Sequence, residues 1–234
     1  MALPKLNDAP KYELKIPSTQ QVVLYRPYLV KEEKILMMAF ETQDEKQALR
    51  AMLDTVTACV EGDINPNELT TFDIEYMFIQ IRGKSVGETS NIVMKCKSCE
   101  SENEVKVNLT DTDVHSPTDT KIFELTSNIS VEMKYPSFNT FIELYDGEKS
   151  ETQFGFEMLE KCVDAIITED ERIVATDVPS SQVSEFVDSM TSQQLSMLVE
   201  YLGKAPTLNH DVEFECSSCQ NKNNVNLQGV ADFF

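Results

Sequence analysis

Apolar and polar side chains alternate at the start of the chain. Lys11-Tyr-Glu-Leu-Lys-Ile16 and Val22-Val-Leu-Tyr25 flank Pro17-Ser-Thr19, which predicts a two-stranded hairpin. Over residues 31–40 the period lengthens, with Ile35, Met38 and Ala39 apolar, and predicts a helix. Thr42-Gln-Asp-Glu45 has the spacing of a capping box. After it Leu49, Met52, Leu53, Val56 and Val60 recur at helical intervals until Gly62 ends the pattern. These two helices are expected to pair antiparallel. A third helix, predicted over 71–82, carries Phe72, Ile74, Met77, Phe78, Ile79 and Ile81 on both faces, which places it at the centre of the fold, and Gly83 is read as its end.

Beyond Gly83 strand patterns return. Ile92-Val-Met-Lys-Cys96 and Glu104-Val-Lys-Val-Asn-Leu109 flank a Cys-x-x-Cys turn, residues 110–120 read as a polar loop, and 121–125 and 129–135 alternate about Ser127-Asn128 as another hairpin. Helices are predicted at 138–146, 154–168, 180–190 and 192–202, and Gly203 and Pro206 close that run. A last hairpin, Asp211-Val-Glu-Phe-Glu215 and Asn224-Val-Asn-Leu227, again carries a Cys-x-x-Cys turn. The expected fold class is α+β, a helical core with β-hairpins and a split four-cysteine zinc ribbon. Three regions are expected: 1–91, an N-terminal hairpin and three helices; 92–109 plus 207–229, the ribbon halves; and 110–206, an inserted hairpin and four helices.

The cysteines carry the strongest chemical signal. Cys96-Lys-Ser-Cys99 and Cys216-Ser-Ser-Cys219 sit in matching surroundings, each with an Asn four residues after its second Cys (Asn103, Asn223) and a Val two further on (Val105, Val225). Two hairpins with such knuckles are the halves of a zinc ribbon, in which four thiolates close a tetrahedral, structural Zn2+ site with no position left for water. Unliganded thiols, disulfides, iron and a redox pair are the competing readings. The 116 residues between Cys99 and Cys216 exceed the roughly 15–20 of a compact ribbon, so the metal would staple the two ends of a long insertion. Cys59 and Cys162 lie in helical patterns beside apolar neighbours and read as small buried hydrophobes.

Charge then narrows the field. The 234 residues carry 20 Lys and Arg against 40 Asp and Glu, a formal net charge of −20. Nucleic-acid binding draws on Lys and Arg that release counterions, so neither a nucleic acid nor an anionic membrane surface suits this chain. The longest apolar run, 35–40, is far short of the roughly 20 residues that cross a bilayer, and the N-terminus lacks a secretory h-region, so the protein is expected to stay where it is made. With 41% hydrophobic residues the acidity belongs to a folded surface.

Gly83-Lys-Ser-Val-Gly87 satisfies the G-x-S-x-G pattern of a serine hydrolase, but the elbow needs a strand entering and a helix leaving, and here the order is reversed. The P-loop reading of Gly-Lys-Ser fails because Phe78 replaces the required glycine. His115 and His210 have no ligand spacing to another histidine and read as loop or exposed residues. No catalytic residue is expected, and the chain is read as not an enzyme.

The segments Lys11-Tyr-Glu-Leu-Lys-Ile-Pro-Ser18, Tyr25-Arg-Pro-Tyr-Leu-Val-Lys-Glu-Glu-Lys-Ile-Leu36, Phe72-Asp-Ile-Glu-Tyr76 and Ile81-Arg-Gly-Lys-Ser-Val-Gly-Glu88, with the closing Asp-Phe-Phe, resemble the baseplate proteins of T4-like contractile-tailed bacteriophages. The resemblance implies a non-enzymatic protein of the baseplate hub, either a hub subunit or an assembly chaperone. Other hub or tape-measure proteins would be its partners. It would reside in the host cytoplasm during assembly and then in the virion tail. Candidate partner contacts are Arg26, Tyr28, Lys31, Phe233 and Phe234. A cellular zinc-ribbon adaptor is the alternative, and a hydrolase using Ser85 a third reading.

Overall fold

The computed structural model describes residues 9–42, 44–62, 64–114, 121–145 and 149–233. They are α+β and fall into two compact units: one within Met1–Ser116 and Pro206–Phe234, the other within Pro117–Ala205. The breaks at 116/117 and 205/206 differ from the three regions read from the sequence pattern.

In the first unit β1 (Tyr12–Lys15) and β2 (Val22–Tyr25) form the N-terminal hairpin, and β2 also pairs with β3 (Val60–Glu61), a two-residue strand too short to leave a pattern. Helix α1 (Val30–Glu41) packs on α2 (Glu45–Cys59). The predicted capping box at Thr42 is not used. Asp44 is the N-cap of α2, its carboxylate accepting the Gln47 N–H at 3.1 Å.

Helix α3 (Thr71–Val86) lies at the centre of this unit, as its two-sided apolar pattern predicts, with Phe72, Ile74, Met77, Ile79 and Ile81 buried. It runs four residues past its predicted end. Gly83 does not stop it: a Cβ there would meet the Thr110 side chain at 3.3 Å, so the glycine lets the helix pass closely against the 3-10 turn Leu109–Asp111. The terminator is Gly87, whose φ of 143° suits a residue without Cβ.

Two long hairpins follow in sequence and in pairing: β4 (Thr89–Lys95) with β5 (Glu102–Asn108), and later β11 (Leu208–Glu215) with β12 (Lys222–Gln228). The residues after β5, read as loop, contain β6 (Asp113–Val114), which pairs with β11.

The second unit is a four-stranded antiparallel sheet, ordered β10-β9-β8-β7, with helices. Strands β7 (Ile122–Thr126) and β8 (Ile129–Met133) form the predicted hairpin, followed by α4 (Phe138–Leu144) and α5 (Glu151–Cys162). The single helix expected over 154–168 is corrected here. It ends at Cys162, and the chain passes directly into β9 (Val163–Thr168), then β10 (Arg172–Val174). Val163, Ile166 and Ile167 are β-branched and suit a pleated surface, and β9 pairs with β8. Helices α6 (Ser180–Asp188) and α7 (Ser192–Gly203) complete the unit, both packing against α5.

Candidate metal centre

The two cysteine hairpins end in the same backbone turn. In each, the first cysteine's carbonyl accepts an N–H from four residues on (Glu100 to Cys96, Gln220 to Cys216) at 2.9 Å, and its own N–H donates to the residue five on, Ser101 or Asn221, also at 2.9 Å. The turn closes through a left-handed residue, Glu100 (φ 57°) or Gln220 (φ 61°). Ser98 N–H donates to the Cys96 sulfur at 3.4 Å, so each knuckle brings backbone donors onto its own thiol.

Across the hairpins the four sulfurs converge. Cys96 Sγ lies 3.7 Å from Cys219 Sγ, Cys99 Sγ lies 3.6 Å from Cys216 Sγ, and one such atom from each of the four lies within 4.8 Å of the others. Four sulfurs about 2.3 Å from a central ion define a tetrahedron with edges of about 3.8 Å. The separations found here suit that donor set. Cys96 and Cys216 are buried while Cys99 and Cys219 are exposed. Among the described residues this is the one cluster of three or more Cys, His, Asp or Glu that can hold a metal ion.

Asn103 and Asn223 tie the halves together reciprocally. Asn223 Oδ1 accepts the Lys97 N–H at 2.9 Å and its Nδ2 donates to Cys96 Sγ at 3.6 Å. Asn103 Oδ1 accepts the Ser217 N–H at 2.9 Å and its Nδ2 donates to Cys216 Sγ at 3.7 Å. Both amides are buried, at 7% and 4% exposure, and both also anchor their own hairpin through Nδ2, to Ser101 O at 2.9 Å and Asn221 O at 3.0 Å. The sequence repeat marks these two positions; their crosswise pairing is what the structure adds.

Electrostatics follow the same logic. The Ser101 hydroxyl, then the N–H groups of Cys219 and Ser218, pull the Cys216 thiol down to about 5, and those of Cys99 and Ser98 hold Cys96 below its usual value. Cys219 goes the other way, to about 12: the Asn221 N–H favours its thiolate, but the neighbouring sulfurs of Cys99, Cys216 and Cys96 push it up harder. Crowded thiols share their protons because adjacent negative charges repel. A divalent cation removes that repulsion and deprotonates all the sulfurs that coordinate it.

A model of the protein family described as T4 bacteriophage base plate protein matches residues 9–234. The chain belongs to this family. Searches of curated proteins and of solved structures return no match. Membership gives this baseplate protein a place among the tail proteins of a phage and displaces the cellular adaptor reading.

The other sequence candidates fall into place around it. Ser85 sits in the last turn of α3, where its hydroxyl donates to the Ile81 carbonyl at 2.6 Å and accepts the Tyr28 N–H at 2.9 Å. It joins two segments, and no strand–turn–helix elbow exists at residues 83–87. Arg26 is turned inward: its guanidinium donates to Glu32 at 2.9 Å and to the Pro27 and Ala58 carbonyls, both at 3.0 Å. Lys31 reaches Glu32 at 3.1 Å. Glu32 is thereby held below its usual pKa although burial opposes this, and it caps α1 by accepting the Leu29 N–H at 2.8 Å.

Phe233 is fully buried and therefore belongs to the core, not to a contact surface. Phe234 and His115 lie outside the described residues. His210 lies on β11 with its ring 6.4 Å from that of Phe233. Cys59 and Cys162 are fully buried, and desolvation pushes their thiols up to about 11 and about 12, as expected of inert core residues.

Proposed function

We propose that this baseplate protein acts without catalysis in building the central hub, as a hub subunit or as an assembly factor, and that Cys96, Cys99, Cys216 and Cys219 hold a structural Zn2+. The family match over 9–234 carries the tail role. The four-sulfur cluster supports the metal reading, because a complete set of protein ligands leaves no open coordination position for chemistry. When bound, the ion neutralises the crowded thiolates. The chain's own residues do the rest: the knuckle N–H groups and the Asn103 and Asn223 amides orient the sulfurs and join two hairpins that are far apart in sequence.

Such a protein acts through contacts with other hub proteins and with the tape-measure protein, in the host cytoplasm while the tail is built and then in the virion. Co-expression with each tail protein of the same phage, followed by purification of complexes, tests this reading. A stable complex with a hub or tape-measure protein, or a hub that assembles only when this chain is present, supports it. Normal tail assembly in its absence, with no complex formed, contradicts it.

A further inference from the structure

A helix that is apolar around its whole circumference is ordinarily buried, and α3 obeys that rule. Helix α1 breaks it. Val30, Ile35, Leu36, Met37, Met38 and Phe40 spread around the helix, yet of these only Leu36 is buried. Met38 is 67% exposed, Val30 63% and Phe40 54%. Beside these side chains a groove of about 300 Å³ opens along α1 and α3, lined by Tyr28, Met37, Phe40, Phe78, Arg82 and Val86. The patch is held firmly: the ion pair of half-buried Arg26 with buried Glu32 pins the first turn of α1, and the Tyr28 N–H to Ser85 bond fixes the segment before it. Exposed apolar side chains beside a groove lined by apolar residues mark an interaction site.

We propose that α1 and this groove form the docking surface for a helix of another tail protein, one whose apolar side is flanked by Lys and Arg. The proposal rests on the baseplate reading above and names the surface and the partner's chemistry. The groove runs between two helices, the geometry that accepts a third amphipathic helix, and Met37 and Met38 supply adaptable side chains for its packing. Charge selects the occupant. The groove itself carries one charge of each sign, Glu33 and Arg82, while the chain around it is strongly acidic, at a net −20. A second copy would bring −20 against −20 and be repelled. A helix with basic flanks is steered in and held in register.

The test uses the full-length chain and each separately purified tail and baseplate protein of the same phage. A photo-cross-linking amino acid at position 38 reports what lies on α1. The triple variant Met37→Gln, Met38→Gln, Phe40→Gln removes the apolar surface while keeping good helix formers on exposed positions, so its melting temperature should stay close to that of wild type. The proposal expects a cross-link to a segment whose helical pattern is apolar on one side with Lys or Arg beside it. It also expects affinity weakened by roughly 30-fold or more in the triple variant, and binding that weakens as salt rises. A cross-link to a second copy of this chain, or to a segment without basic flanks, overturns it. So does unchanged affinity of the triple variant for a tail protein that the wild type binds; in that case the baseplate reading stands and only this surface falls. If wild type binds none of the tail proteins, both readings fall together.

Discussion

The tip of the N-terminal hairpin and the tips of the two cysteine hairpins are the same backbone turn, stabilised by different chemistry. At residues 16–21 the Gln20 N–H reaches the Ile16 carbonyl at 2.8 Å, the Ile16 N–H reaches the Gln21 carbonyl at 2.9 Å, and Gln20 is left-handed at φ 60°. Cys96 and Cys216 occupy the position of Ile16, and Cys99 and Cys219 that of Thr19. In the cysteine tips the third residue's N–H turns back onto the first thiol, as Ser98 does. In the first tip the corresponding N–H, that of Ser18, instead donates at 2.8 Å to the carboxylate of Asp73, which also accepts the N–H and hydroxyl of Thr70 at the start of α3. The knuckle fold therefore does not itself require metal. A buried side chain, Ile16, and a buried carboxylate, Asp73, fasten one tip to a helix. The other two tips are fastened to each other, by sulfur, by two asparagines and by the Lys97 ammonium, which donates to the Asn224 carbonyl.

This contrast can be broken from either side. The largest expected effect is at the thiols: Cys216→Ser, or strong chelation, should lower stability by several kcal/mol, given the roughly 10–16 kcal/mol that structural zinc supplies to small fingers. Hydrogen exchange should then accelerate at 96–101 and 216–221 and stay slow at 16–21. Asp73→Ala should do the reverse. Removing a buried acceptor of three hydrogen bonds should cost on the order of 3 kcal/mol, read by denaturant unfolding, and free the first tip with the metal content unchanged.

Asn223→Asp keeps the acceptor for Lys97 N–H but replaces the donor to Cys96 by a negative charge. Metal affinity, measured by competition with a chromogenic chelator, should fall about 10- to 100-fold, with little change at residues 16–21. The smallest effect concerns the far end of the second cysteine hairpin. Burial raises the Glu75 carboxyl to about 7, although it accepts the Val230 N–H in the turn that follows β12. A folded-state value above the ordinary carboxylate value of 4.5 means that the folded chain binds the extra proton, so stability falls as pH rises from about 4.5 to about 7 and levels off above. Glu75→Gln should flatten that window and stabilise the protein at pH 8 by roughly 1–3 kcal/mol, as read by melting temperature across pH.

Much of the site was legible because cysteine is a discrete signal. The paired knuckles, the flanking strands and the Asn positions could all be read by aligning Cys96 with Cys216. The kinship of the first tip could not, since Ile16 and Thr19 share no chemistry with cysteine; only the serine at Ser18, Ser98 and Ser218 is common to all three tips, and Gln20 recurs only as Gln220. The helix-to-strand junction at Cys162 was hidden because neither Gly nor Pro interrupts the apolar run there. Gly83 misled in the opposite sense, because a glycine that admits a neighbouring turn looks in sequence like one that ends a helix. Strands β3 and β6 span two residues each, too short to show a period, and exist only because β2 and β11 offer them an edge. The exposure of α1 is a tertiary fact: its apolar positions are plain in the sequence, and nothing local says that they stay uncovered.

Whether one metal ion on four thiolates joins two hairpins 116 residues apart is decided by the protein's metal content. Metal analysis of the protein purified under reducing conditions without added metal tests it most directly. Wild type should hold close to one zinc per chain and Cys96→Ser almost none; wild-type protein that is folded and metal-free, or a variant that keeps its zinc, would rule the metal staple out.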